Sequence, residues 1–240
     1  MDILILHGWE PSAESAQESY KSFIALLKNK KHRVFAPDMP GFGTAKVPNH
    51  PFTVSDYAEW VTRYIRENDI EKPLVIGHSF GGRVAIKLAA KYPLLIHKLV
   101  LTGAPGFPPV SKQKISILKL IAKTGGFICS LPLVSLFKPL VRKLFYKSIG
   151  AWDYYHAQGV MRETFKNIIS EDLGEPMTKI KTETLLVWGA YDLLVPLWIA
   201  RKMERTIKGS RLHIILGGGH CVIYEDPDKF LESVDTILRQ

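Results

Sequence analysis

Leu74-Val75-Ile76-Gly77-His78-Ser79-Phe80-Gly81-Gly82-Arg83-Val84-Ala85-Ile86-Lys87-Leu88-Ala89-Ala90 decides the fold. The first three residues form a short apolar run with the character of a buried strand, and the stretch from Gly81 carries apolar residues at helical spacing. Between them lies Gly77-His78-Ser79-Phe80-Gly81. A serine on so sharp a turn must take a strained backbone, and the glycines two before and two after it let strand and helix approach closely enough to close the turn. GxSxG by itself is also found as a plain glycine-rich turn that packs a helix. The strand before it and the helix after it make the stretch a specific candidate for a nucleophile site. A phosphate-cradling loop is not encoded, since neither GxxxxGK[ST] nor GxGxxG occurs at this junction.

The same rhythm extends outward in both directions. Ile3 to Leu6, Arg33 to Ala36, Leu74 to Ile76, Lys98 to Leu101, Thr184 to Trp188 and Leu212 to Leu216 are short apolar runs ending in turn residues, which gives six strands. Most are apolar at successive positions, as a sheet covered on both faces requires. Ala16 to Asn29, Val54 to Asn68, Gly81 to Tyr92, Leu197 to Thr206 and Pro227 to Leu238 carry apolar residues three and four apart and supply the covering helices. The expected class is α/β, a mostly parallel sheet of about six strands with helices on both faces. Residues 106–177 break the pattern, with no convincing strand and with Gly125-Gly126, Pro132, Pro139 and Gly150 punctuating helical segments. The expected organisation is one core formed by residues 1–105 and 178–240, with residues 106–177 as an inserted helical cap.

A serine hydroxyl needs a base, and a histidine base needs a carboxylate to fix its tautomer and stabilise the imidazolium. His220 follows the last strand through Gly217-Gly218-Gly219 and is the candidate base. Asp192 lies just beyond Leu185 to Gly189 and is the candidate acid, its structural alternative being a cap for the helix after Pro196. His78 adjoins Ser79, but adjacent side chains on a tight turn diverge, so it is expected to support the loop. His213 reads as packed within its strand and His32 and His50 as surface loop residues, while His97 and His156 have no motif around them. The order Ser, Asp, His is the one this strand–turn–helix architecture uses.

Acyl transfer also needs two donors aimed at the tetrahedral oxyanion, each worth about 3 to 4 kcal/mol of transition-state stabilisation. The amide of Phe80, next after the nucleophile, is one candidate. His7-Gly8-Trp9 follows the first strand, so the amide of Trp9 is the other, and His7 is expected to brace that loop.

Together these elements resemble the α/β-hydrolase superfamily, especially its capped serine esterases and C–C hydrolases, over nearly the whole chain. His7-Gly8-Trp9 looks like the family's oxyanion loop, Asp38-Met39-Pro40-Gly41-Phe42-Gly43 like its turn after the next strand, and Gly77 to Gly82 like its nucleophile elbow. Trp188-Gly189-Ala190-Tyr191-Asp192 and Gly219-His220, with Glu225-Asp226-Pro227 beyond, resemble its acid and base loops. Relatives usually carry two more strands upstream of the oxyanion loop, so one sheet edge is expected to be shortened. Dehalogenases and epoxide hydrolases of the superfamily use aspartate where this chain has Ser79, which excludes those chemistries. The resemblance implies a serine hydrolase that cleaves an ester through an acyl-enzyme, with no metal or cofactor. C–C bond hydrolysis, lysophospholipase or thioesterase activity on the same three residues are its alternatives, and a non-catalytic ligand-binding protein on this fold is the rival from another class.

In this family the insertion forms a lid whose lining selects substrate. Here Ser111 to Lys147 holds eight Lys or Arg residues and no Asp or Glu, interleaved with apolar residues, within a chain of formal net charge +9. The pattern fits a solvated lid that favours a hydrophobic acyl or alcohol group; its rival is peripheral contact with an anionic membrane surface. No nucleic-acid-binding module accompanies the charge. Two cysteines in no CxxC arrangement give no disulfide framework or thiolate metal site. With no signal-peptide pattern and no uncharged apolar run of about 18 residues, a cytoplasmic location is expected.

Overall fold

The structure, a computed structural model, describes residues 1–9, 15–107 and 158–239. Its elements in chain order are β1 (Asp2–Leu6), α1 (Ala16–Ser19), α2 (Lys21–Asn29), β2 (Arg33–Phe35), α3 (Val54–Glu67), β3 (Leu74–His78), α4 (Phe80–Lys91) and β4 (Lys98–Thr102). They continue with α5 (Gly159–Ser170), α6 (Gly174–Thr178), β5 (Glu183–Gly189), α7 (Leu197–Thr206), β6 (Arg211–Ile215), α8 (Val222–Glu225) and α9 (Pro227–Leu238). All six expected strands form, within one or two residues of their expected ends. They make a single sheet in the order β2-β1-β3-β4-β5-β6, parallel at every pairing.

β1, β3 and β4 are buried along their whole length, which is why their inner stretches Ile3–Leu6, Leu74–Ile76 and Leu99–Leu101 are continuously apolar. Successive side chains still alternate between faces. Leu4, Leu6, Val75, Leu99, Leu101, Leu186 and Trp188 pack under α3, α4 and α7, while Ile3, Ile5, Leu74, Ile76, Val100, Leu185 and Val187 pack under α2 and α9. Phe23 of α2 and Phe230 of α9 meet edge to face at 5.2 Å in that second layer.

Register places the functional loops. Leu6 pairs with Gly77, His78 with Thr102, Thr102 with Val187 and Gly189 with Ile215. The carboxyl ends of β1, β3, β4, β5 and β6 therefore lie along one sheet edge, where open α/β sheets bind ligands.

Of the expected cap, residues 108–157, with the basic stretch Ser111–Lys147, lie outside the described residues. The rest of the range holds α5 and α6. Arg83 of α4, which is 2% exposed, joins the chain at Pro105 to the chain at Glu171. One terminal nitrogen of its guanidinium donates to the Pro105 carbonyl and the other to the Glu171 carbonyl. Lys87, one turn on, pairs with the Glu171 carboxylate at 2.7 Å, and the Leu173 amide donates to the Gly106 carbonyl at 3.2 Å. Burial lowers the Arg83 pKa to about 10, which still leaves it charged at neutral pH.

Removing the guanidinium strands two carbonyls that it serves. Arg83→Met is therefore expected to cost about 1 to 3 kcal/mol, read by thermal denaturation as a Tm lower by roughly 3 to 10 °C in a chain of this size. An unchanged Tm would show that the clasp contributes nothing to stability.

Candidate active site

Ser79 leaves β3 at φ 51°, ψ −113°, a backbone region that side chains other than glycine rarely take. Two backbone hydrogen bonds hold it there. The Ser79 amide donates to the Thr102 carbonyl at 2.9 Å, and the Gly81 amide donates to the His7 carbonyl at 2.9 Å. The second bond needs the start of α4 to touch the end of β1, and a Cβ on Gly81 would lie 2.1 Å from the Leu6 carbonyl oxygen. That is the physical reason for glycine two residues after the serine.

The structure brings Ser79, His220 and Asp192 into one hydrogen-bonded line. Ser79 Oγ lies 3.1 Å from His220 Nε2, and His220 Nδ1 lies 2.8 Å from Asp192 Oδ2. The carboxylate only accepts, so Nδ1 carries the proton and Nε2 offers its lone pair to the serine hydroxyl. Asp192 is 4% exposed. Its second oxygen accepts from the Leu194 amide at 3.0 Å and the Val195 amide at 2.7 Å, so the carboxylate is fixed by its own turn. It does not cap α7, whose N-cap is Pro196 with no side-chain hydrogen bond.

Gly8 stands beside Ser79: a Cβ added to it would lie 3.5 Å from Ser79 Cβ. Among the described residues the amides of Trp9 and Phe80 have no internal acceptor, so both remain free donors next to Ser79. His7 braces the loop as expected from sequence. Its Nδ1 donates to the Gly8 carbonyl at 2.7 Å, and its Nε2 accepts the Met39 amide at 2.9 Å. Met39 belongs to the Asp38–Gly43 turn, where Asp38 accepts from the Ala16 amide at 2.6 Å and the Thr44 amide at 2.9 Å. The Trp9 indole sits among Phe42 at 4.8 Å, Phe80 at 5.4 Å and Phe165 of α5 at 4.9 Å, so the free amides border an aromatic cluster.

The other histidines divide. His78 is buried and supports the elbow. His213 is not packed: β6 is an edge strand with alternating exposure, and this residue faces solvent. His32 is half-buried rather than at the surface, with Nδ1 enclosed and unpartnered. His50 and His97 are exposed, and His156 lies outside the described residues. Two polar residues at this site escape a sequence reading, Tyr20 and Arg83. Each sits in an amphipathic helical pattern that marks it as ordinary helix surface or core, and no local motif signals its partners.

The α/β-hydrolase fold model matches residues 3–227. The chain belongs to the α/β-hydrolase family. A 2-hydroxy-6-oxo-6-phenylhexa-2,4-dienoate hydrolase of Comamonas testosteroni is 27% identical over 267 residues, covering 99% of this chain and 87% of that protein. Among solved structures, an esterase from Exiguobacterium antarcticum has a TM-score of 0.75 at 22% identity, covering 100% of this chain and 92% of its own. A variant of the meta-cleavage product hydrolase from Pseudomonas fluorescens IP01 has a TM-score of 0.71 at 25% identity, covering 100% and 90%. The likeness to the esterase carries the fold alone. Within this family the chain is a hydrolase, and among the described residues β2 forms one edge of the sheet.

The serine's backbone strain yields a stability prediction. Ser79→Gly relieves a conformation that costs about 1 to 3 kcal/mol, partly offset by the larger chain entropy glycine loses on folding. The variant should melt a few degrees higher while losing any Ser79-dependent activity; a lower Tm would show that the turn is unstrained.

Burial also sets a pH dependence. It holds His7 below its ordinary pKa of 6.5, against the opposing bond to the Gly8 carbonyl. It drives His78 to about 3, helped by the neighbouring His220. The unfolded chain therefore binds more protons than the folded one between about pH 6.5 and 3, and stability is complete above that window and falls as pH falls through it. Urea midpoints should decrease from pH 7 to pH 5, above the carboxylate range, and His78→Gln should flatten that slope. A flat wild-type profile would contradict the burial argument.

Proposed function

We propose that the protein is a serine hydrolase that cleaves a carboxylic ester through an acyl-enzyme. The observation that carries this reading is the line from Ser79 Oγ through His220 to Asp192, at 3.1 Å and 2.8 Å. Ser79 attacks the acyl carbonyl while His220 Nε2 takes its proton, and the same nitrogen returns that proton to the leaving alkoxide. Water then repeats the sequence in reverse and releases the acid. Asp192 holds the Nδ1–H tautomer and stabilises the imidazolium. The amides of Trp9 and Phe80 receive the oxyanion, and the serine's position at the start of α4 adds the helix's positive end. No step needs a metal or a cofactor.

An apolar acyl or alcohol group is the preferred substrate. The aromatic cluster of Trp9, Phe42, Phe80 and Phe165 flanks the proposed oxyanion site, and Tyr191, Leu193 and Leu194 on the acid loop are exposed. The Comamonas and Pseudomonas relatives favour a second reading, hydrolysis of a C–C bond in a dienoate, on the same three residues.

Turnover of nitrophenyl esters across acyl chain lengths tests the first reading. The expected result is a chain-length optimum for wild type and no Ser79-dependent turnover for Ser79→Ala; equal rates in the two proteins would sink it. Asp192→Asn should lower kcat by about 10⁴-fold, because the amide stabilises the wrong histidine tautomer. A 2-hydroxy-6-oxo-dienoate assayed alongside by loss of its dienol absorbance separates the two substrates: faster turnover of the dienoate would favour C–C hydrolysis.

A further inference from the structure

Tyr20, between α1 and α2, belongs to none of the motifs above, yet it is completely buried and its hydroxyl reaches the site. The Gly8 amide donates to that oxygen at 3.2 Å, and the same oxygen lies 2.6 Å from His78 Nδ1. On the far side of the ring, His78 Nε2 lies 3.2 Å from the carbonyl oxygen of His220. A carbonyl only accepts, so Nε2 carries the ring proton. Burial keeps the ring neutral, so Nδ1 is a lone pair and the Tyr20 hydroxyl must donate to it. Each proton then has one place. The chain runs from the Gly8 amide through the Tyr20 hydroxyl and the His78 imidazole to the His220 carbonyl, and it passes through the residue that precedes Ser79.

We infer that Tyr20 and His78 are positioning residues that hold the His220 backbone in register with the Gly8–Trp9 loop, so that base and oxyanion donor reach Ser79 as one unit. This rests on the serine hydrolase reading. The need for such a link lies in the base loop itself. Gly217-Gly218-Gly219 precedes His220 and has more backbone freedom to lose than any other three residues would. A hydrogen bond to the carbonyl of His220 fixes the backbone at the one residue whose ring must be placed. A displacement of about 1 Å at a reacting group can cost roughly 100-fold in rate, so an anchor that limits smaller drifts should show in kcat. Substrate touches neither Tyr20 nor His78, both being enclosed, so KM should not follow.

The test uses the full chain and reads fluorophosphonate labelling rate at Ser79 together with kcat and KM on a nitrophenyl ester. His78→Asn keeps an acceptor for Tyr20 but loses the donor to His220; it should label and turn over about tenfold more slowly, with KM unchanged within about twofold. His78→Gln carries its amide nitrogen at the same bond distance from Cβ as the lost Nε2, and should recover most of that loss. Tyr20→Phe removes only one hydroxyl, folds on the same ring packing, and should fall in between. A role confined to stability would lower Tm in all three without ordering kcat this way. The inference is overturned if Tyr20→Phe keeps wild-type kcat and labelling rate within about twofold, or if His78→Gln recovers nothing relative to His78→Asn. Should His78→Asn fail to fold, Tyr20→Phe alone decides. Wild-type protein that is not labelled at Ser79 would overturn the hydrolase reading and the inference with it, whereas labelled wild type with unaffected variants overturns the inference alone.

Discussion

Two backbone hydrogen bonds carry the rest of the site: the Ser79 amide to the Thr102 carbonyl of β4 and the Gly81 amide to the His7 carbonyl at the end of β1. They fasten a strained turn to the strands on either side of β3. Strain of this kind persists only where the surroundings over-determine it, and here the surroundings are the buried parallel strands of the sheet centre. Because the fastening uses β1 directly, it also fixes where the chain leaves that strand. The Trp9 loop is thus placed beside Ser79 by the same contact that bends the serine's backbone.

Three histidines cluster within this arrangement, and their partners separate their roles. His7 sits between a carbonyl and an amide, and His78 between a hydroxyl and a carbonyl. Both are enclosed and held neutral, so neither can cycle a proton readily near neutral pH. His220 alone faces a carboxylate on one nitrogen and a hydroxyl on the other, the pairing that suits a general base. In the proposed mechanism the two neutral rings brace loops without adding positive charge next to His220, the proposed base, which must itself become positive.

Much of this was legible in the sequence, for local reasons. Buried parallel strands write continuous apolar runs, and Leu74 to Ile76 or Lys98 to Leu101 need no tertiary context to be read. Ser79, Asp192 and His220 each follow such a run within a few residues, so a position beyond a strand end was enough to single them out. What escaped depends on contacts between segments far apart in the chain. Tyr20 meets His78 across 58 residues, and Arg83 meets Glu171 across 88; neither partner leaves a trace in the other's local pattern. His213 was misread because burial of a strand depends on its place in the sheet. β6 lies at the edge, so Arg211 and His213 face solvent while Ile215 is buried.

The base loop makes the same point in its sharpest form. Gly217-Gly218-Gly219 alone describes a chain with little preference for any conformation, whereas a general base must be held to within a fraction of an ångström of its serine. Order is imposed from outside the loop. The Tyr191 amide grips the Gly218 carbonyl at 2.9 Å, and the His220 ring lies against Gly103, where φ is +55° and a Cβ would come within 2.8 Å of the imidazole. The glycines at 217–219 let the loop follow these contacts, and the glycine at 103 makes room for the ring. Flexible sequence and fixed geometry are therefore compatible: the loop supplies conformational reach, and β4, the acid loop and the His78 link supply the constraint.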